Sequence, residues 1–112
     1  MNEIEINGII YVEKNKQEKS KYCTIRTYSA GVWVGIVDKM EGKYAEISDA
    51  RRLWYWSGAA SLSELAVNGV KNPDDCKFPT AVDQVILTEV IEVIPMTEKA
   101  IESIKGVKVW EA

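Results

Sequence analysis

The chain has 112 residues, 46% of them hydrophobic and 28% charged, with a net charge of −3. That size and balance fit one globular domain over residues 1–112 and leave too little chain for a second domain that is stable alone. The acidic balance excludes the broad basic surface that long nucleic acid requires, and no apolar run approaches the roughly 20 residues of a membrane span.

The start, MNEIEINGII, lacks the basic opening and long apolar stretch of a signal peptide, so a cytoplasmic location is expected. There is no histidine, which removes Ser-His-Asp and Cys-His catalysis. Cys23 and Cys76 are too few for a zinc site, and in a cytoplasmic chain they are expected to remain thiols.

Residues 3–12, EIEINGIIYV, alternate around Asn7-Gly8, a strong short-hairpin signal. Residues 13–21, EKNKQEKSK, hold no apolar side chain and read as a solvated loop. An N-terminal hairpin and charged loop over 1–21 thus precede a core over 22–110. Residues 22–29, YCTIRTYS, predict a strand with Cys23, Ile25 and Thr27 on one face and Tyr22, Thr24, Arg26 and Tyr28 on the other. Ala30-Gly31 turns the chain into a strand over 32–38, and Glu41-Gly42 turns it into another over 43–48.

ARRLWYWS, residues 50–57, reads as a further strand. Ser61 and Glu64 then have the spacing of a capping box, and Asn68-Gly69 should end that helix. Residues 71–79 form a loop with two prolines. QVILTEVIEVIP, residues 84–95, predicts one long strand, buried over much of its length. A second helix starts at Thr97, with Met96 and Ile101 placed as a hydrophobic staple, and stops at Gly106. Residues 107–110, VKVW, suit a short closing strand. This order predicts an α+β fold: a mainly antiparallel sheet of six or seven strands with two short helices.

The block at 51–57 breaks simple patterning. As a strand it puts Arg52, Trp54 and Trp56 on one face and Arg51, Leu53, Tyr55 and Ser57 on the other. Both faces then carry a cation and large rings, whereas a strand that only fills a core carries charge on one face. Two readings follow. In the first, the rings fill the core and the arginines pair with carboxylates. In the second, the block holds something flat and negative, because arginine matches phosphate bidentately and rings stack bases at about 1–3 kcal/mol each.

SGAAS, from Ser57 to Ser61, leads into a helix start, which suits an anion, although the Walker pattern is absent. With Arg26 and Tyr28, the candidate ligand-binding set is Arg51, Arg52, Trp54, Tyr55, Trp56, Ser57, Ser61, Arg26 and Tyr28. No catalytic residue, metal ligand or cofactor is expected. In Asp74-Asp75-Cys76-Lys77 the carboxylates oppose thiolate formation, and Glu89 and Glu92 have opposite strand parity.

The segments RTYSAGVWVG, DARRLWYWSGAASLSELAVNGV, CKFPTAV and VIEVIPMTEKAIESIKGV resemble a family of short phage and prophage proteins, a domain of unknown function, over residues 22–110. Tyr55-Trp56-Ser57 and the helix at 65–69 carry most of the likeness. Small phage proteins without catalytic apparatus include the sponges of anti-Thoeris and anti-CBASS type, which sequester cyclic nucleotide or cyclic ADP-ribose immune signals. The resemblance thus implies a non-enzymatic protein that binds a small anionic nucleotide. The alternative is a phage accessory or structural protein whose Trp- and Arg-rich face contacts another protein. A homo-oligomer is expected, because residues 84–95 are apolar on both faces and the aromatic block needs cover.

Overall fold

The computed structural model describes residues 3–6, 9–12 and 22–112. The Asn7-Gly8 turn and the loop over 13–21 lie outside them. Strand β1 (Glu3–Ile6) pairs antiparallel with β2 (Ile9–Val12), Ile6 facing Ile9. The main sheet has five antiparallel strands: β3 (Tyr22–Thr27), β4 (Val32–Glu41), β5 (Tyr44–Leu53), β6 (Val82–Leu87) and β7 (Val90–Pro95), in the order β6-β5-β4-β3-β7. Helix α1 (Leu62–Asn68) and a 3-10 turn (Pro73–Asp75) lie between β5 and β6, and helix α2 (Glu98–Lys105) follows β7. The class is the α+β expected, with slightly fewer strands in the sheet than the six or seven anticipated.

Three local predictions change. Residues 43–48 and 50–57 are not two strands: β5 runs from Tyr44 to Leu53 and then leaves the sheet. The long strand over 84–95 is broken at Thr88-Glu89 into β6 and β7, which lie at opposite edges of the sheet. Residues 107–110 form no strand and contribute one bridge, Phe78 to Val109.

The break at 88–89 has a geometric cause. Two residues span the gap between the sheet's edges only if the sheet curls on itself. Val90 N–H donates to Lys43 O and Tyr28 N–H donates to Glu89 O, tying that link to the start of β5 and the end of β3, the strands beside the two edges. The inside of the curl buries Cys23, Ile25, Trp33, Ala45, Ile47, Ala50, Leu87 and Val90. Gly35 permits the tightness, because a Cβ there would meet Ile47 Cγ2 at 2.5 Å and Ser48 O at 3.0 Å. β6, by contrast, is largely exposed rather than buried.

The outer face carries the helices. Tyr22, Val34 and Leu53 from the sheet pack with Leu65 and Ala66 of α1, Ala100 and Ile104 of α2, and Phe78, Met96 and Val107. Ser61 caps α1 by accepting from Glu64 N–H at 3.1 Å, and Glu64 Oε1 accepts from Ala60 N–H at 3.0 Å, so the capping box forms. Thr97 caps α2 in the same way, accepting from Ala100 N–H at 3.1 Å, and its hydroxyl donates to Val67 O at 2.7 Å. Met96 and Ile101 both join the core, as a staple should.

Candidate functional site

The puzzle of residues 51–57 is resolved by a bulge. Val34 faces Arg51 across the β4–β5 ladder, yet Ile36 faces Ser48, so β5 holds one extra residue there. It falls at Asp49, whose φ of 49° is left-handed. The bulge resets the parity of the strand. Ala45, Ile47 and Ala50 point into the curl, and Arg52 follows them; Arg51 and Leu53 point to the helices.

Each arginine then finds a separate environment. Arg51 is only 7% exposed. Its Nε donates to Pro79 O at 2.9 Å, Nη1 to Ile104 O at 3.0 Å, and Nη2 to Phe78 O at 3.2 Å and Val107 O at 2.8 Å. The guanidinium lies 5.5 Å from the Phe78 ring centroid and sits at the C-terminal end of α2, where carbonyls and the helix dipole favour a cation. Burial lowers its pKa. Carbonyls, not the carboxylates of the structural reading, therefore hold it, and four of its five donors are spent on architecture. Arg52 stacks 4.2 Å from the Trp33 ring centroid and donates from Nη1 to Ala30 O at 2.6 Å, its one side-chain hydrogen bond among the described residues.

The other candidates scatter. Arg26 pairs with Glu92 at 3.7 Å on the surface, and Tyr28 is 79% exposed. Trp56 packs half-buried against the helix-side core. Ser57 is bonded to the following loop: its N–H donates to Cys76 Sγ and its hydroxyl accepts from Asn72 Nδ2 at 3.0 Å. The Ser61 hydroxyl and the Glu64 carboxylate occupy the start of α1, so the anion cradle expected at 57–61 is filled by the protein's own side chains.

What the fold does assemble is an exposed aromatic face. Trp54 and Tyr55 N–H groups both donate to Lys77 O, and Lys77 N–H donates back to Tyr55 O at 2.8 Å. Trp110 N–H donates to Phe78 O at 3.0 Å. This short ladder brings Tyr55, Lys77 and Trp110 side by side. The Lys77 ammonium lies 6.0 Å from the Tyr55 ring centroid and 5.7 Å from that of Trp110. Trp54, Tyr55 and Trp110 are 63%, 51% and 45% exposed. A groove of about 510 Å³ runs beside Trp110, lined also by Cys76, Lys108, Asp74 and Glu111.

Sequence reasoning found Trp54 and Tyr55 but missed Lys77 and Trp110. Lys77 lay in a stretch read as loop, and Trp110 in one read as a closing strand. A lysine beside Phe78 and a tryptophan in the last three residues were the available signals.

Burial raises the pKa of Cys76 and of Cys23, so neither is set up as a nucleophile, and the two are not joined by a disulfide. Among the described residues, no group of three or more His, Cys, Asp or Glu is placed to hold a metal ion, and no helix is long and apolar enough to cross a membrane. No curated protein and no solved structure matches the chain at a significant level. The family whose description is Domain of unknown function (DUF6948) matches residues 20–104, which is most of the chain, and the protein belongs to that family.

Proposed function

We propose that the protein is a non-enzymatic binder that takes a small anionic nucleotide on the Tyr55–Lys77–Trp110 face. One observation carries this reading: an ammonium is held between two exposed rings. Rings stack a base without regard to its identity, and the lysine supplies the charge that a phosphate needs. Lys108 puts a cation in the groove beside Trp110, while Asp74 and Glu111 in the same groove disfavour a heavily charged polyphosphate. The ligand class implied by the phage-type resemblance is a cyclic oligonucleotide or a cyclic ADP-ribose isomer used as an immune signal, and sequestration requires no chemistry beyond binding.

The competing reading is a protein interface, which draws on the same exposed rings. A thermal-shift screen separates them. Cyclic dinucleotides, cyclic trinucleotides and ADP-ribose isomers are offered at a hundredfold excess over a micromolar Kd. A true ligand then adds about 2.7 kcal/mol of stability, an easily read rise in Tm. A flat response across the panel, together with capture of a partner protein that Trp110→Ala abolishes, would favour the interface.

A further inference from the structure

A second hollow, of about 360 Å³, lies between the bulge of β5 and the end of α2, lined by Tyr22, Asp49, Arg51, Thr80, Lys105 and Val107 among others. It contains none of the aromatic face's rings. Tyr22 is 7% exposed, and its hydroxyl makes no hydrogen bond among the described residues. The hydroxyl is not among the buried polar atoms left without a partner, so it is not sealed away from the hollow that Tyr22 lines. Burial, then the charge of Asp49, pushes the Tyr22 pKa up to about 12, with Arg51 opposing, so at neutral pH the group is an O–H donor.

The hollow is cationic. Lys105 sits 5.0 Å from the Tyr22 ring centroid and 3.5 Å from Asp49 Oδ2. That ion pair is long and half-exposed, which makes it weak, so the ammonium can turn toward a ligand at little cost. Among the described residues, Arg51 has one N–H without a partner, the second hydrogen on Nη1. Two cations against one carboxylate leave a net positive charge. Tyr22, Lys105 and Arg51, which carry donors, line the hollow with Asp49, the one carboxylate in its lining. Val107, Val109 and Ala81 supply an apolar wall. A dry cavity of about 150 Å³ already accepts benzene, so the space suffices for an apolar body with a charged head. The left-handed Asp49 is held at the rim, in keeping with the clustering of strained backbone at binding sites.

We propose that this hollow binds a small organic anion with an apolar body, its carboxylate or phosphate monoester accepting from the Tyr22 hydroxyl and the Lys105 ammonium. The rigid floor is Arg51, which fixes the 78–79 segment, the end of α2 and residue 107 around the ligand.

The test is a titration of the full chain with phenyl phosphate, benzoate and benzylamine at constant ionic strength, followed by amide shifts in two-dimensional NMR. Phenyl phosphate, benzoate or both give saturable shifts at Asp49, Arg51, Ala81 and Lys105; benzylamine gives none. Binding by one anion alone assigns the head group. Tyr22→Phe and Lys105→Gln each raise Kd by about tenfold or more, the worth of a hydrogen bond to a charged group, while circular dichroism is unchanged, Tm of Tyr22→Phe stays at or above the wild-type value and that of Lys105→Gln falls by no more than a few degrees. Trp110→Ala leaves these shifts in place, which separates this site from the aromatic face. The proposal is overturned if neither anion saturates, if benzylamine shifts the same amides, or if Tyr22→Phe binds as the wild type does. Loss of binding in Trp110→Ala but not in Tyr22→Phe would also overturn it.

Discussion

Replacing Arg51 by methionine keeps the apolar stem and removes the fork. Of its four carbonyl partners, Ile104 O still accepts from Val107 N–H and Phe78 O from Trp110 N–H. Pro79 O and Val107 O have no other donor among the described residues. Each buried carbonyl left unsatisfied costs about 1–3 kcal/mol, so the substitution should cost about 2–6 kcal/mol. Domains of this size have about 5–15 kcal/mol in total, and Tm should fall by at least about 8 °C. Arg51→Lys should recover only part of the loss, because one ammonium cannot reach four acceptors arranged for a planar fork.

Arg52→Met is the control. Its acceptor, Ala30 O, keeps a bond from Trp33 Nε1 at 3.0 Å, and the stacking on Trp33 is worth about 0.5–1 kcal/mol. Urea unfolding followed by tryptophan fluorescence measures both. If Arg51→Met stays within about 0.5 kcal/mol of the wild type, or Arg52→Met costs as much, the assignment of Arg51 to architecture is wrong.

Thr24 is buried on the helix side, and its hydroxyl has no hydrogen bond among the described residues. Thr24→Val should therefore stabilise the protein by about 1 kcal/mol, read in the same urea assay. Gly35→Ala pushes a methyl into Ile47 and should cost about 1–3 kcal/mol by overpacking; a Tm equal to the wild type would mean the curl is looser than described. Tyr22 has a native pKa raised above its unfolded value of 10.0. Its contribution is thus complete below pH 10 and lost as pH rises toward 12, on the order of 2–3 kcal/mol. Wild type should lose stability relative to Tyr22→Phe by that amount over that window and by nothing below it.

Much of the fold is legible in local chemistry. The caps at Ser61 and Thr97, the staple of Met96 and Ile101, and the Gly42 turn with φ of 58° each rest on a few neighbouring residues. What escaped depends on distant ones. Nothing around Thr88-Glu89 states that the chain must cross from one edge of a curled sheet to the other; that follows from closure of the whole sheet. The bulge at Asp49 is equally silent, since aspartate tolerates the left-handed region without announcing it. It sets which faces Arg51 and Arg52 take relative to Ala45 and Ile47, while the alternation read for 51–57 holds through Leu53 and lapses where the chain leaves the sheet. The candidate site was half visible for the same reason. Trp54 and Tyr55 stood out by composition, but Lys77 and Trp110 reach them only through the ladder that 54–55, 77–78 and 109–110 build together.

The most direct measurement is calorimetric titration of the nucleotide that raises Tm most into the wild type, Trp110→Ala and Lys77→Ala. The account predicts saturable binding to the wild type. Kd should weaken at least about fivefold in Trp110→Ala, the lower end of one stacked base, and in Lys77→Ala by an amount that shrinks as salt is raised. Binding that is unchanged in both variants, or no heat from any nucleotide that the screen offers, would contradict it.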